Sequence, residues 1–218
     1  MRHLLVVATQ NPHKVTELRA LFADLPVDLV TPVEVLGYPL DVVEDGATFE
    51  ANAEKKARAV ANATHAMTLA DDSGLEVDAL QGAPGVRSAR YAGERATDAD
   101  NNAALLSALG SRDPETAEDP RARFRCVLAL IDPFTDGGAV HTVDGACEGA
   151  ITRSARGTNG FGYDPLFLVA GLEKTMAELT EAEKNALSHR AKASQKMRLV
   201  LEKVLAARGE AVRKLDAP

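Results

Sequence analysis

Residues 69–74 read LADDSG: an apolar run gives way to two adjacent carboxylates, Asp71 and Asp72, then to the hydroxyl of Ser73 and to Gly74. Asp, Ser and Gly favour surface turns, because their side chains bond the local backbone or tolerate unusual dihedrals. The same residue types suit a hard-cation site, where carboxylate and hydroxyl oxygens converge and glycine lets the backbone approach. On these six residues alone a turn stays ahead of a metal site. If the pair continues a strand, the two side chains point to opposite faces, because the side-chain period is two. Asp72, nearer the expected turn, is then the acid better placed to reach a ligand, with Ser73 beside it. A second carboxylate could come from the segment Glu44-Asp45-Gly46. Two such acids suit Mg²⁺, which keeps several waters and takes one or two carboxylates plus substrate phosphates.

Three further segments carry residues of chemical interest. Thr9-Gln10-Asn11-Pro12-His13-Lys14 lies between strand-like and helix-like sequence, where free backbone N–H groups and the helix dipole favour an anion. A cation in a first helical turn opposes the dipole, so a bound phosphate accounts for Lys14, with a solvated lysine as the even alternative. The loop lacks the glycines of a Walker A motif. Residues 157–165, GTNGFGYDP, set Phe161 and Tyr163 among three glycines. This spacing is not the dinucleotide fingerprint. A flexible loop is the plain alternative to a base stacked on an aromatic ring, with backbone groups reading its edge. Residues 184–190, KNALSHR, read as part of a terminal helix with an ordinary charged face. At about 100° per residue, Lys184 and His189 lie about 140° apart there, so periodicity does not converge them. Arg190 is the first nominee for a ligand, because a guanidinium offers a planar fork to keto or phosphate oxygens.

The elements that must position these groups alternate strand and helix. HLLVVA (3–8) reads as a strand, and Val15, Leu18, Leu21, Phe22 and Leu25 fall at helical spacing over 14–25. A second strand is expected over 27–31 and a helix over 48–64. AMTLAD and LEVDAL read as two strands joined by a tight turn at Asp72-Ser73-Gly74. A helix starts at Thr97 or Asp98 and stops at Gly110, and the acidic, proline-bearing segment 111–121 reads as an exposed loop. ARFRCVLALI and AVHTVDGACEGAI flank DPFTDGG as a long hairpin, which makes the sheet mixed. Capping-box patterns at Thr175–Glu178 and Thr180–Glu183 announce one long terminal helix that ends before Gly209.

A chain of 218 residues suits one α/β domain spanning 1–218. The net charge of −7 argues against a broad nucleic-acid surface, which needs a basic field, but leaves room for a small anion where a few cations converge. The short apolar run at the start and the lack of any long one predict a cytoplasmic protein that does not enter membranes. Cys126 and Cys147 lack metal-ligand spacing and read as buried free thiols.

Taken in order, TQNPHK, FEANAEKKA, ADDSGLEVDAL, GAPGVRSARYAG, GTNGFGYDPLF and TMAELTEAEKNALSHRAKA closely resemble the inosine triphosphate pyrophosphatase family. The resemblance runs in one register from Thr9 to the terminal helix. It implies a homodimeric α/β enzyme, with a long mixed β-sheet flanked by helices and two lobes around a central cleft. It also implies Mg²⁺-dependent hydrolysis of ITP, dITP and XTP to monophosphate and pyrophosphate, clearing deaminated purines from the nucleotide pool. By the same resemblance the phosphate loop falls on Thr9, Gln10, Asn11, Pro12, His13 and Lys14, with Lys56 as a further phosphate-side lysine. The catalytic acid and metal ligand falls on Asp72, with Ser73 as a substrate contact. Base and ribose contacts fall on Phe161, Gly162, Tyr163 and Asp164, and the remaining substrate positions on Lys184, His189 and Arg190. Glu44 is the nearest candidate for the second metal carboxylate, with Asp45 in reserve. One departure is Ala51, where many relatives carry a glutamate able to close a capping box with Thr48. A non-catalytic purine nucleotide-binding module and a phosphatase removing only the terminal phosphate are the competing functions.

Overall fold

The computed structural model describes residues 2–110 and 120–215. Of the expected exposed loop 111–121, residues 111–119 lie outside the described residues, and Arg121 already opens a strand. The elements are β1 (His3–Ala8), α1 (Pro12–Leu21), β2 (Val27–Val30), α2 (Pro32–Leu36), α3 (Phe49–Thr64), β3 (Thr68–Val77), α4 (Asp98–Leu109), β4 (Arg121–Ile131), β5 (Val140–Ile151), β6 (Phe167–Val169), α5 (Glu181–Leu187) and α6 (His189–Leu215). The six strands are ordered β2-β1-β3-β4-β5-β6. β1 runs parallel to β2 and β3, whereas β5 and β6 are antiparallel, so the sheet is mixed as expected. No helix among the described residues is long and apolar enough to cross a membrane.

The chain divides into two compact units. The first takes residues up to Asp72, then Val127–Asp144, then those from Ala193 onward; the second takes Ser73–Cys126 and Gly145–Lys192. In the first, β1 has Leu5, Val6, Val7 and Ala8 buried in succession, as expected of a parallel strand covered on both faces. α1 begins at Pro12 because Asn11 caps it, its side chain accepting from the backbone N–H groups of His13 and Lys14. α3 is capped by Thr48, whose hydroxyl accepts from Ala51 N at 3.1 Å; alanine at this third position returns no bond, so half of the capping box is present. The buried stripe of α3 runs Phe49, Asn52, Ala53, Lys56, Ala57, Val60, Ala61. Asn52 and Lys56 are the polar members of that stripe, and buried polar groups need partners. The second unit has its own core, in which Leu75, Leu105, Phe124, Tyr163, Leu166, Phe167 and Met176 pack together.

Four expectations change. LADDSG contains no turn: all six residues belong to one ten-residue strand, β3. Turn preference yields there because both carboxylates are buried and paired with lysines, and so the extended backbone is stabilised by its surroundings. α2 was not anticipated, although Thr31 and Glu34 form a complete capping box around Pro32. The terminal helix is not continuous. The box at Thr175 closes over a single 3₁₀ turn, Met176–Glu178, and α5 stops at Ser188, whose backbone is extended and whose hydroxyl caps α6 by accepting from Ala191 N at 3.1 Å. Lys184 and His189 therefore sit on different helices, and their angular separation on one helix does not apply. Finally, α6 continues through Gly209 to Leu215, because a helical glycine costs only about 1 kcal/mol relative to alanine.

Gly149 faces Val169 across β5 and β6, and a Cβ there would fall 2.3 Å from Leu168 O and 2.5 Å from the Phe167 ring. Gly149→Ala should lower stability by about 1–3 kcal/mol, seen as a reduced urea midpoint. An unchanged midpoint would mean that the edge strand yields freely.

Candidate active site

The first unit gathers three carboxylates and two lysines in one group, with Lys56, Asp71 and Asp72 buried and Lys14 and Glu44 partly exposed. Lys56, on the inward stripe of α3, donates to Asp72 Oδ1 at 2.7 Å and to Asp71 O at 2.8 Å, and lies 3.0 Å from Glu44 Oε1. An ammonium has three protons to donate, and here three acceptors surround it. Lys14 Nζ lies 2.7 Å from Asp71 Oδ1, whose side chain is fully buried. Alternation along β3 thus divides the two acids, Asp71 to Lys14 and Asp72 to Lys56. Asp71 lies within the strand, and the awkward placement of Lys14 in a first helical turn is already explained by this buried partner.

Charge sets the protonation of the group. Burial pushes the Asp72 carboxyl up to about 6, against the pull of Lys56 and Lys14 and with a further push from Glu44. Burial acts to raise the pKa of Glu44 too, but Lys56 outweighs it and holds that acid below the usual range. Burial works against the Lys56 charge, yet Asp72 and then Glu44 more than compensate, so its pKa is raised. Of Asp72 and Glu44, which share Lys56, Asp72 takes a proton the more readily. The loop bearing Glu44 is fixed at its far end, where Gly46 N donates to Asn52 Oδ1 at 2.7 Å. Asp45 turns instead to Lys55, at 2.5 Å, in an exposed pair. Geometry favours Glu44 over Asp45 as the companion of Asp72.

The 9–14 loop is more self-contained than an open anion cradle. Asn11 Oδ1 accepts from His13 N at 2.9 Å and Lys14 N at 3.3 Å, and Thr9 Oγ1 accepts from Asn11 N at 3.2 Å. These helix-terminal N–H groups are engaged within the loop. Gln10 reaches Asp41 Oδ1 at 2.6 Å, tying the loop to the segment before Glu44. Pro12 occupies the first position of α1, and His13 is exposed.

In the second unit, Asp164, Lys184 and Arg190 surround Phe161. Lys184 Nζ donates to the buried Asp164 Oδ2 at 2.7 Å, and the same oxygen accepts from Phe161 N at 3.0 Å. Lys184 Nζ stands 5.0 Å and Arg190 Cζ 5.9 Å from the Phe161 ring centroid, within reach of the ring's negative face. Arg190 is fully buried and donates to Ser73 Oγ at 2.9 Å. A Cβ on Gly160 would land 2.0 Å from Asp164 Oδ2, at a φ of +77°, so glycine is required there. The two aromatics separate: Tyr163 is buried with its hydroxyl donating to Ser88 O at 2.8 Å, while Phe161 is half-buried beneath the cations. His189 stacks on Phe124 with centroids 4.9 Å apart, on a core ring. Gly162 N donates to Asp98 Oδ2 and Gly162 O accepts from Asn102 Nδ2, so these loop backbone groups already have protein partners. Asp98, Asn102 and Asn52 were not singled out from sequence; Asp98 looks like an ordinary acid in a first helical turn.

Residues 5–200 match the Ham1 family. The chain is 50% identical over 201 residues to the dITP/XTP pyrophosphatase of Desulforamulus reducens, covering 92% of this chain and 96% of that protein. It is 52% identical over 189 residues to the dITP/XTP pyrophosphatase of Geobacter sulfurreducens, covering 87% and 92%. Among solved structures, a HAM1 protein from Coxiella burnetii superposes with a TM-score of 0.81 at 44% identity, covering 93% of this chain and all of that one. The Ham1 protein of Staphylococcus aureus superposes with a TM-score of 0.78 at 40% identity, covering 92% and 98%.

The Asp72 shift makes a signed prediction. An acid whose pKa rises from 3.8 to about 6 on folding binds more protons in the native state, so native stability falls as pH climbs through that window. Unfolding in urea should show the stability of Asp72→Asn relative to the parent rising between pH 4 and pH 7 by on the order of 2–3 kcal/mol. A difference independent of pH would assign the proton to another carboxylate.

Proposed function

The chain belongs to the Ham1 family, and on that premise we propose that it hydrolyses non-standard purine nucleoside triphosphates, ITP, dITP and XTP, to the monophosphate and pyrophosphate. The observation that carries the reading is the buried acid–lysine group built around Asp72, in a chain about half identical to proteins named dITP/XTP pyrophosphatase. The whole chain, 1–218, acts as one catalytic domain, and the family resemblance supports a cytoplasmic homodimer.

Asp72 and Glu44 would hold Mg²⁺. They are hard oxygen donors that share Lys56, and burial first, with Glu44 adding to it, pushes the Asp72 carboxyl up. Mg²⁺ takes one or two carboxylates and completes its shell with waters and phosphate oxygens, so two acids are enough for this role. When bound, the ion supplies positive charge to the triphosphate oxygens.

Water attacks the α-phosphorus, the bond from that phosphorus to the α–β bridging oxygen breaks, and pyrophosphate leaves. Asp72 receives or orients the proton of the attacking water: a carboxylate with a pKa near 6 is ionised at neutral pH yet more basic than an ordinary aspartate. Lys14 and Lys56 keep positive charge near the reacting phosphates, the positioning and electrostatic work on which phosphoryl transfer mostly depends. In the second unit Phe161 offers a face to the purine. Lys184 and Arg190 supply N–H donors, which suit the 6-keto oxygen of hypoxanthine or xanthine and not the 6-amino group of adenine. Ser73, His189 and Asp164 complete the substrate-contacting set, with Thr9, Gln10, Asn11, Pro12 and His13 on the phosphate side and Gly162 and Tyr163 on the base side.

The protein incubated with Mg²⁺ and ITP, XTP, ATP or GTP, with orthophosphate and pyrophosphate measured separately, should release pyrophosphate from ITP and XTP at least about 100-fold faster than from ATP. Asp72→Asn should lose about 10²–10⁴-fold in turnover while its circular dichroism is unchanged. Orthophosphate release from ITP would establish a terminal phosphatase instead, and binding without turnover a nucleotide-binding module.

A further inference from the structure

The loop proposed to carry the purine is gripped from α4. Gly162 N donates to Asp98 Oδ2 at 2.7 Å, and Asn102 Nδ2 donates to Gly162 O at 2.9 Å. Asp98 and Asn102 are four residues apart, hence on one face of the helix. One side chain accepts from the peptide before Gly162 and the other donates to the peptide after it. We propose that Asp98 and Asn102 are positioning residues that hold both peptides of Gly162 and so fix Phe161 against the purine base. This assignment rests on the base-binding reading of the loop.

Neither residue caps its own helix, although Asp98 lies in the first turn, where an acid also suits the helix dipole. The cap of α4 is made by Thr97 and Asp100, with Thr97 N donating to Asp100 Oδ2 at 2.8 Å and Asp100 N to Thr97 Oγ1 at 3.2 Å. The packing of α4 against the preceding 3₁₀ segment is served by Asn101, which bonds Ala89 O and Ala92 N. Asn102 even carries a liability, because its Oδ1 is buried without a hydrogen-bond partner. Such an orphaned acceptor costs stability that an apolar side chain of similar size would not. Stability therefore does not explain an asparagine here, whereas its bond to Gly162 O does.

The loop needs the grip at that point. Gly162 has a φ of +60° and a Cβ there would meet nothing within 4 Å, so neighbouring side chains do not wedge its backbone in place. On one side the loop is tied at Asn159, through Ala177 O and Leu179 O; on the other, Tyr163 is tied to Ser88 O. Phe161 lies between those anchors and is bonded to Asp164 through its own N and O, a closed turn that spans Gly162, so a rotation of the Gly162 peptides would open that turn and swing the ring away from Lys184 and Arg190.

Asn102→Leu, Asp98→Ala and Asp98→Asn test the assignment in the full chain. With ITP as substrate, Asn102→Leu and Asp98→Ala should each raise KM, and the Kd of IMP by calorimetry, roughly 10-fold, with kcat within about 3-fold. The inhibition constant of tripolyphosphate, which carries no base, should not move. Asp98→Asn keeps an oxygen able to accept from Gly162 N and should return KM to within about 2-fold of the parent. The urea midpoint of Asn102→Leu should stay close to that of the parent, because relief of the orphaned Oδ1 offsets the lost bond to Gly162 O. Unaltered IMP affinity, an equal loss for tripolyphosphate, or a KM effect that tracks a lowered midpoint overturns the assignment. A parent protein that releases no pyrophosphate from ITP overturns the functional reading and this assignment with it, whereas an active parent with unaltered variants overturns this assignment alone.

Discussion

Lys56 sits on the buried stripe of α3 with all three of its protons directed at acceptors: a side chain from β3, the backbone of β3, and Glu44 from the segment before α3. An ammonium stripped of water is costly to bury, and removing one partner of a buried pair is costlier than never having made it. Much of the first unit follows from that constraint. β3 must remain extended through Asp71 and Asp72, the segment 44–46 must fold back onto α3, and α3 must present Lys56 among alanines small enough to leave room. Lys14 answers the remaining carboxylate. Burial keeps the Asp72 carboxyl well above the ordinary aspartate range even beside these two lysines.

The second unit solves a different problem by similar means. Its Asp164 is surrounded by a donor from Lys184 and a donor from the Phe161 backbone, and so a buried acid fixes both a cation and an aromatic ring with one oxygen. The result is a ring with two positive groups over it and a serine held by a fully buried guanidinium. Charged side chains here act as struts first, each held within about hydrogen-bonding distance by a named partner, and the chemistry proposed for them depends on that rigidity.

A short apolar run made β1 legible in the sequence, helical spacing made α1 legible although its bounds are Pro12–Leu21 and not 14–25, and Thr48 and Thr97 marked the starts of α3 and α4. LADDSG was misread as a turn for a physical reason: turn preference is a local property, whereas two lysines from 15 or more positions away, or from the first helix, decide that this segment is strand. The terminal helix was misjudged twice. Ser188 interrupts it through a hydroxyl cap that looks like any helical serine, and Gly209 does not interrupt it because glycine only weakens a helix. The charged residues later found in the two groups were visible as residues, and motif order assembled them; their partners were not visible. Asp71 with Lys14, Asn52 with Gly46, and the α4 residues with Gly162 are long-range pairs that leave no mark on local sequence.

Asp71 and Asp72 are chemically the same side chain, and nothing but their parity along β3 distinguishes one from the other. One sits opposite Lys14 and the other opposite Lys56 because odd and even positions face different ways. The strand thus behaves as a reading frame. Gaining or losing one residue on its upstream side would leave both acids in the protein but turn each to the other's face, with only one of them landing opposite a lysine, which makes this stretch far less forgiving of a change in length than of many changes in composition.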